Sequence, residues 1–260
     1  MRLPIPRKRE LGQHFLVDEN IVAVAGRMAA LGPDDVVLEV GPGLGVLTSH
    51  LADQVRFVHA VEIDWGLEPH LRQRFGTRPN VNLVFDDALQ HPLADLDPPP
   101  NKFVSNLPYN VATPLVAESL DGLPSVELWC VMVQREVADR FFATSGTKSY
   151  GAVSVLVQLT AERTGFRSVS RSVFRPPPNV DSALVSFRRL VQWGPEFARV
   201  KRVVQAGFGH RRKTLVNALE LSGLERARAA RALETMQLPA DVRAERLAPS
   251  DFVQLAELLQ

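Results

Sequence analysis

Apolar, β-branched runs recur between residues 36 and 134, separated by stretches with helical spacing. The runs are VVLEV (36–40), VRFVHAVE (55–62), VNLVF (81–85), KFVSN (102–106) and VELWCVMVQ (126–134). Helical spacing shows in LGVLTSHLA (44–52) and VATPLVAESL (111–120). Strands that are apolar throughout suit a sheet covered on both faces, and their alternation with helices implies a mostly parallel sheet. GAVSVLVQLT (151–160) and VDSALVSFRR (180–189) are also β-rich, with no evident crossover helix between them, and are expected to form an antiparallel edge. The fold class is therefore α/β. After about residue 190 the strand signal stops, and FARVKRVVQAGFGHRRKTLVNALELSGL and ERARAARALETM carry helical periodicity. The expected domains are an α/β domain over 1–190, led by a basic tail at 1–10, and a small all-helical C-terminal domain over 191–260.

A chain of 260 residues that is 45% hydrophobic and 23% charged can bury a sizeable core. With 30 basic and 29 acidic residues, the distribution of charge says more about partners than its sum. The single cysteine, Cys130, excludes an internal disulfide framework and, lying in VELWCVMV, reads as a small buried hydrophobe. No apolar run reaches about 18 residues, and the basic stretch MRLPIPRKRE (1–10) lacks the apolar segment of a signal peptide, so a cytoplasmic protein without membrane association is expected.

VVLEVGPGLGVLT (36–48) reads as a strand, a tight glycine-rich turn and the start of a helix. A dinucleotide fingerprint, G-x-G-x-x-G, would place its third glycine at 46. Position 46 is Val; the glycines are Gly41, Gly43 and Gly45, preceded by Glu39. That pattern resembles the first motif of S-adenosylmethionine methyltransferases, whose cofactor has no pyrophosphate to cradle. Glu62 stands about 20 residues beyond Gly41 at the end of the next strand, where an acid can accept hydrogen bonds from ribose hydroxyls. In DDA (86–88), after the third strand, Asp87 could accept from an adenine amine.

KFVSNLPYN (102–110) is the most informative stretch. Asn106-Leu107-Pro108-Tyr109 resembles the (N/D)-x-P-(Y/F) motif of methyltransferases that act on amines conjugated to a ring. Such an amine is a poor nucleophile because its lone pair is delocalised. Two acceptors holding its N–H bonds would favour a pyramidal, more basic nitrogen. Asn106 offers a side-chain carbonyl. Leu107 offers a backbone carbonyl, kept extended by Pro108. Tyr109 can stack on a flipped base. This chemistry needs no metal and no covalent intermediate.

Taken together, LGQHFLVD (11–18), LEVGPGLGVLT (38–48), VEID (61–64), DDA (86–88), NLPYN (106–110), MVQREVADR (132–140), YGAVSV (150–155), FRPPPNVDSALV (174–185) and GHRRKTLVNAL (209–219) resemble the small-subunit ribosomal RNA adenine dimethyltransferase family. The resemblance covers about residues 8–215. It implies a Rossmann-like catalytic domain with a helical C-terminal domain, S-adenosylmethionine as cofactor, and dimethylation of two adjacent adenines near the 3′ end of 16S rRNA. It also implies a role in 30S maturation. By the same resemblance His14, Leu16, Gly41, Gly43, Glu62, Asp87 and Asn106 line the cofactor pocket and Phe174 forms the far wall of the base pocket. Many members carry Asn where this chain has His14.

Basic residues cluster in RKR (7–9), RTGFRSVSRSVFR (163–175), RR (188–189) and GHRRK (209–213), a distribution that suits a cationic rim for phosphate contact. Arg135 is a candidate for RNA contact or structural pairing. Arg211, Arg212 and Lys213 are expected at a helix start, where cations oppose the helix dipole, so phosphate contact is the simplest purpose for them. The expected partner is small-subunit rRNA or the 30S particle, met by a monomer. Three other readings share some of these features: a large-subunit rRNA methyltransferase conferring macrolide resistance, a ribosome-assembly factor with secondary catalysis, and a small-molecule methyltransferase.

Overall fold

A computed structural model of the chain describes residues 13–259. The basic tail 1–10 with its RKR run, and the first two residues of LGQHFLVD, lie outside the described residues. In chain order the elements are β1 (Phe15–Leu16), α1 (Glu19–Met28), β2 (Val36–Val40), α2 (Val46–Ala52), β3 (Phe57–Glu62), α3 (Glu68–Phe75), β4 (Val81–Phe85), β5 (Lys102–Asn106), α4 (Ala112–Gly122), β6 (Leu128–Gln134), α5 (Arg135–Phe141), α6 (Ala152–Thr160), β7 (Ala161–Val169), β8 (Phe174–Arg175), β9 (Ser182–Arg189), α7 (Phe197–Gly209), α8 (Leu215–Leu221), α9 (Arg226–Thr235) and α10 (Pro249–Leu258).

The described residues form two compact units, 13–138 with 162–189, and 139–161 with 190–259. The first unit holds a seven-stranded sheet in the order β4-β3-β2-β5-β6-β9-β7. β4 through β6 run parallel, and β9 pairs antiparallel with β6 from Leu128↔Arg188 to Gln134↔Ser182. β2 is buried along its whole length, as a strand covered on both faces must be. The core gathers Val37, Leu51, Val58, Val104, Cys130 and Leu184. Cys130 is fully buried there, and desolvation pushes its thiol up to about 12, so it packs as an inert hydrophobe. α1 starts where Asp18 accepts from the N–H groups of Asn20 and Ile21, an N-cap that contributes about 1 kcal/mol.

Residues 151–160, expected as a strand, form α6. Val153, Val155, Leu156 and Val157 are all buried in the second unit, so the run is apolar because its helix is enclosed, and periodicity cannot separate such a helix from a buried strand. Ser154 favours the helix by accepting from the Gly151 N–H at its start. The edge next to β9 is instead β7, whose residues from Glu162 to Ser168 are mostly exposed. The second unit thus takes 139–161 from the middle of the chain as well as the residues from 190 on. Tyr150 anchors this inserted segment by donating to the Leu247 carbonyl.

Candidate active site

From β2 the chain builds outward to β3 and β4, and then returns to place β5 on the other side of β2. Such a switch point leaves a crevice beyond the carboxyl ends of the strands. The pairing of β2 with β3 continues to Val40↔Val61, whereas that of β2 with β5 ends at Leu38↔Phe103. Beyond that point the Ser105 hydroxyl replaces the ladder: it accepts from Val40 N at 2.8 Å and donates to Val40 O at 2.6 Å. The parted strand tips open into a pocket lined by the glycine loop, by Glu62 and by the residues that follow β5.

One wall of the pocket is the glycine loop. Gly41 has φ 77°, and a Cβ there would lie 3.3 Å from the Pro108 ring. Gly45 has φ 76° and would meet Phe75 at 2.4 Å, so any side chain would be strained and would clash. The loop is therefore clasped between the ring after β5 and the core side of α3.

Two acids stand at the inner strand tips. Glu62 is 5% exposed; its Oε2 accepts from Gly43 N at 3.1 Å and its Oε1 from Asp64 N at 2.9 Å. Burial raises its pKa, and these two amides partly offset the rise. Glu39 is 1% exposed, and burial pushes its carboxyl up to about 8. Glu39 is among the residues lining the pocket, although its Oε2 is itself buried, and the Thr48 hydroxyl partly offsets the rise. A buried acid at the pocket wall suits a ligand that brings hydrogen-bonding groups. S-adenosylmethionine, with its ammonium and ribose hydroxyl groups, meets that requirement. Gln13, which donates to Asp64 Oδ2 at 2.7 Å, closes this side.

The tetrapeptide forms the opposite wall: Asn106, Leu107, Pro108 and Tyr109 all line the pocket, as do His14, Leu16, Gly41, Gly43 and Glu62. Asn106 Nδ2 donates to the His14 carbonyl at 3.3 Å, which leaves Oδ1 as the acceptor end of the amide. The His14 ring stacks on Tyr109, with centroids 5.5 Å apart and planes 27° apart. His14 Nδ1 lies 2.8 Å from the Pro176 carbonyl, an obligate acceptor, so Nδ1 carries the proton. The Tyr109 hydroxyl lies 2.6 Å from Ser182 Oγ.

Other expected residues stand elsewhere. Asp87 is not among the residues lining the pocket; its Oδ1 accepts from Leu89 N at 3.0 Å and shapes the turn after β4. Phe174, expected at the far wall of the base pocket, is not among the residues lining this pocket. Its ring is 0% exposed and belongs to the core, because β8 pairs with β1 and sets Phe174 opposite Leu16. Arg135 is exposed, donates to Ser168 Oγ at 2.7 Å and places its guanidinium 4.8 Å from the Phe166 ring centre. Arg211 donates to the carbonyls of Lys148 and Tyr150 and lies 3.7 Å from Glu245. Arg212 and Lys213 are exposed. These three cations do not open a helix as expected. They occupy the connection after α7, ahead of the α8 N-cap Thr214, and cations are favourable at the C-terminus of α7. Glu220, a potential partner for them, pairs with Arg226 at 2.7 Å.

Reading the sequence missed Ser105 and Ser182, which are unremarkable in their apolar strands, and the buried carboxyl of Glu39. Only Glu39 carried a signal, its place two residues ahead of Gly41.

A family model described as ribosomal RNA adenine dimethylase matches residues 6–260. The protein named ribosomal RNA small subunit methyltransferase A in Rubrobacter xylanophilus is 47% identical over 254 residues, 98% of this chain and 95% of that one. Its namesake in Kineococcus radiotolerans is 44% identical over 266 residues, 98% of this chain and 87% of the other. Among solved structures, a dimethyladenosine transferase from Plasmodium falciparum superposes with a TM-score of 0.74 at 25% identity, covering 93% of this chain and 96% of that one. The 23S rRNA methyltransferase ErmE superposes with a TM-score of 0.63 at 30% identity, covering 94% and 99%. No described helix is long and apolar enough to cross a membrane.

Proposed function

Because the chain belongs to the ribosomal RNA adenine dimethylase family, whose members are S-adenosylmethionine-dependent methyltransferases, we propose that it dimethylates the 6-amines of two adjacent adenines near the 3′ end of small-subunit rRNA. In doing so it takes part in maturation of the 30S particle. The observation that carries this reading is that Asn106-Leu107-Pro108-Tyr109 and the glycine loop with Glu62 line one pocket at the switch point.

When bound, S-adenosylmethionine supplies an electrophilic methyl group on a cationic sulfur. Glu62 would hold it by accepting from the ribose hydroxyls, with Glu39 in the same pocket wall. Asp87 keeps Oδ2 for the cofactor's adenine amine at the outer side of the site. Asn106 Oδ1 and the Leu107 carbonyl accept the two N–H bonds of the target adenine and turn its lone pair toward the methyl. Tyr109, backed by the His14 ring, stacks on the flipped base. The amine's proton leaves to solvent after attack, so no side chain need act as a strong base. Arg211, Arg212 and Lys213 contribute phosphate contacts, Arg212 and Lys213 more than Arg211, whose guanidinium holds the 148–150 segment. Arg135 is a further candidate contact.

The large-subunit alternative draws support from the likeness to ErmE, and relatives at 47% and 44% identity favour the small subunit. The test is to supply labelled cofactor with unmodified 30S particles and, separately, with naked 23S rRNA, and to map the labelled adenines. Label at a neighbouring pair in the small-subunit RNA is expected. Label confined to 23S rRNA would replace this reading with the alternative.

A further inference from the structure

One sequence feature has no part in the chemistry above. From Arg163 to Val180 the chain has four arginines, at 163, 167, 171 and 175, and no acidic residue. All four are exposed. Arg163 and Arg167 fall on one face of β7, since residues four apart in a strand share a face about 13 Å apart. β7 is the outermost strand of its sheet. Between it and α1 runs a shallow groove lined by Val24, Arg27, Met28, Gly165, Phe166 and Arg167. Gly165 lets Ser186 and Met28 pack close against β7, because a Cβ there would lie 2.7 Å from Ser186 Oγ and 3.0 Å from Met28 Cε. Arg27, also exposed, adds a cation from the α1 side.

The track then leads to the active site. Arg171 follows in a single 3-10 turn, and its backbone N–H is held by Asp181 Oδ1 at 3.1 Å. Arg175 is in β8, and its guanidinium is set by the carbonyls of Ser172 and Phe174. β8 pairs with Phe15 and Leu16, both of which line the pocket, and the next residue, Pro176, takes the hydrogen bond from His14.

Resting on the RNA substrate proposed above, we infer that the segment 163–175, with Arg27, is a cationic track along which the RNA strand carrying the target adenine runs from the sheet edge into the pocket. Charged residues on an edge strand also discourage edge-to-edge pairing. That role ends with the strand, whereas the arginines continue through Arg171 to Arg175, beyond β7 and toward the site. A protein strand added to the β7 edge would gain nothing from those last two. A phosphate backbone is met by every arginine of the series.

The test is the triple variant R163Q/R167Q/R171Q, which leaves the pocket residues and Arg175 in place. Binding to unmodified 30S particles and to naked small-subunit rRNA is measured across a salt series, with S-adenosylhomocysteine titrated in parallel. Each lost phosphate contact lowers the slope of log affinity against log salt by roughly 0.7–0.9, so the slope on both RNAs should flatten by about two to three. Affinity for S-adenosylhomocysteine should be unchanged. Should the triple variant melt early, R171Q alone carries the test, with a change of about one slope unit or slightly less. Slopes parallel to wild type, with adenine methylation intact, would overturn the track and leave the proposed function standing. A loss on the particle with none on naked rRNA would assign the surface to a ribosomal protein and also overturn the track. A wild-type protein that methylates no small-subunit RNA would overturn the function and the track together.

Discussion

The tips of β2 and β3 and the tip of β4 are neighbours in one sheet and carry acids in similar positions, yet the acids live in different surroundings. Glu39 and Glu62 are 1% and 5% exposed, and burial raises the pKa of both. Asp86 after β4 is exposed, and its hydrogen bonds to His91 and to the Asp87 amide hold its carboxyl below its usual value. β2 and β3 each have a strand on both sides, while β4 closes the sheet and its residues are only half-buried. The lesson is that position within the sheet sets the work an acid can do. The interior tips hold poorly solvated acceptors ready for a ligand. The edge tip uses Asp86 and one oxygen of Asp87 to make a turn. Asn106, at the end of β5 next to β2, belongs with the interior tips.

The largest effect should therefore follow from an interior tip. Asn106→Ala removes an acceptor that matters most as the amine pyramidalises, and a rate loss on the order of 10²–10³ is expected, as for one positioned polar group in an active site. The fold should persist, because Asn106 Nδ2 makes only a 3.3 Å bond to a loop carbonyl. Single-turnover transfer of labelled methyl, alongside a melting curve, measures both quantities. Turnover close to wild type would remove Asn106 from the chemistry and dissolve the distinction between interior and edge tips on the catalytic side.

The acids sharpen the same distinction through binding. Glu62→Gln exchanges a charged acceptor for a neutral amide at a site that also holds Gly43 and Asp64 N–H groups, so affinity for S-adenosylhomocysteine should fall by about 1.5–3 kcal/mol. Asp87→Asn keeps an oxygen for the Leu89 N–H and loses one neutral-strength contact at most, about 0.5–1.5 kcal/mol. Calorimetric titration of the two variants gives the ranking directly. A larger loss at Asp87 than at Glu62 would reverse it.

The strands read correctly from sequence are chiefly those whose burial on both faces made them apolar: β2, β3, β5 and β6 fall within two residues of expectation, as does β4, which is only half-buried at the sheet's edge. The same rule failed at 151–160, where a helix enclosed in the second unit is as apolar as a central strand. The pocket walls were legible because strained glycines and a proline leave a mark in the sequence. The burial of Phe174 was not legible because a two-residue pairing, β1 with β8, sets its place, and nothing local in FRPPP announces that partner. Ser105 was invisible because its role depends on where two strands part, which is a property of the assembled sheet.

The smallest effect on turnover concerns a group at an interior tip whose polar atom is already engaged within the protein. Ser182 is 0% exposed and its Oγ lies 2.6 Å from the Tyr109 hydroxyl, so this hydroxyl braces the ring and does not face a ligand. Tyr109→Phe should keep the stacking surface and most of the activity, while stability falls by about 1–3 kcal/mol because a buried hydroxyl loses its partner. Adding Ser182→Ala removes the stranded oxygen as well and should recover much of that loss, since deleting both partners of a buried pair is close to neutral. Tyr109→Ala, by contrast, should cost about 1–3 kcal/mol in substrate binding through lost base stacking. Chemical denaturation of the two single variants and the double variant, with methyl transfer measured for each, completes the cycle. If the double variant regains stability but Tyr109→Phe is as inactive as Tyr109→Ala, the hydroxyl acts in the reaction itself, and the interior tips contain a catalytic group beyond Asn106 and the Leu107 carbonyl.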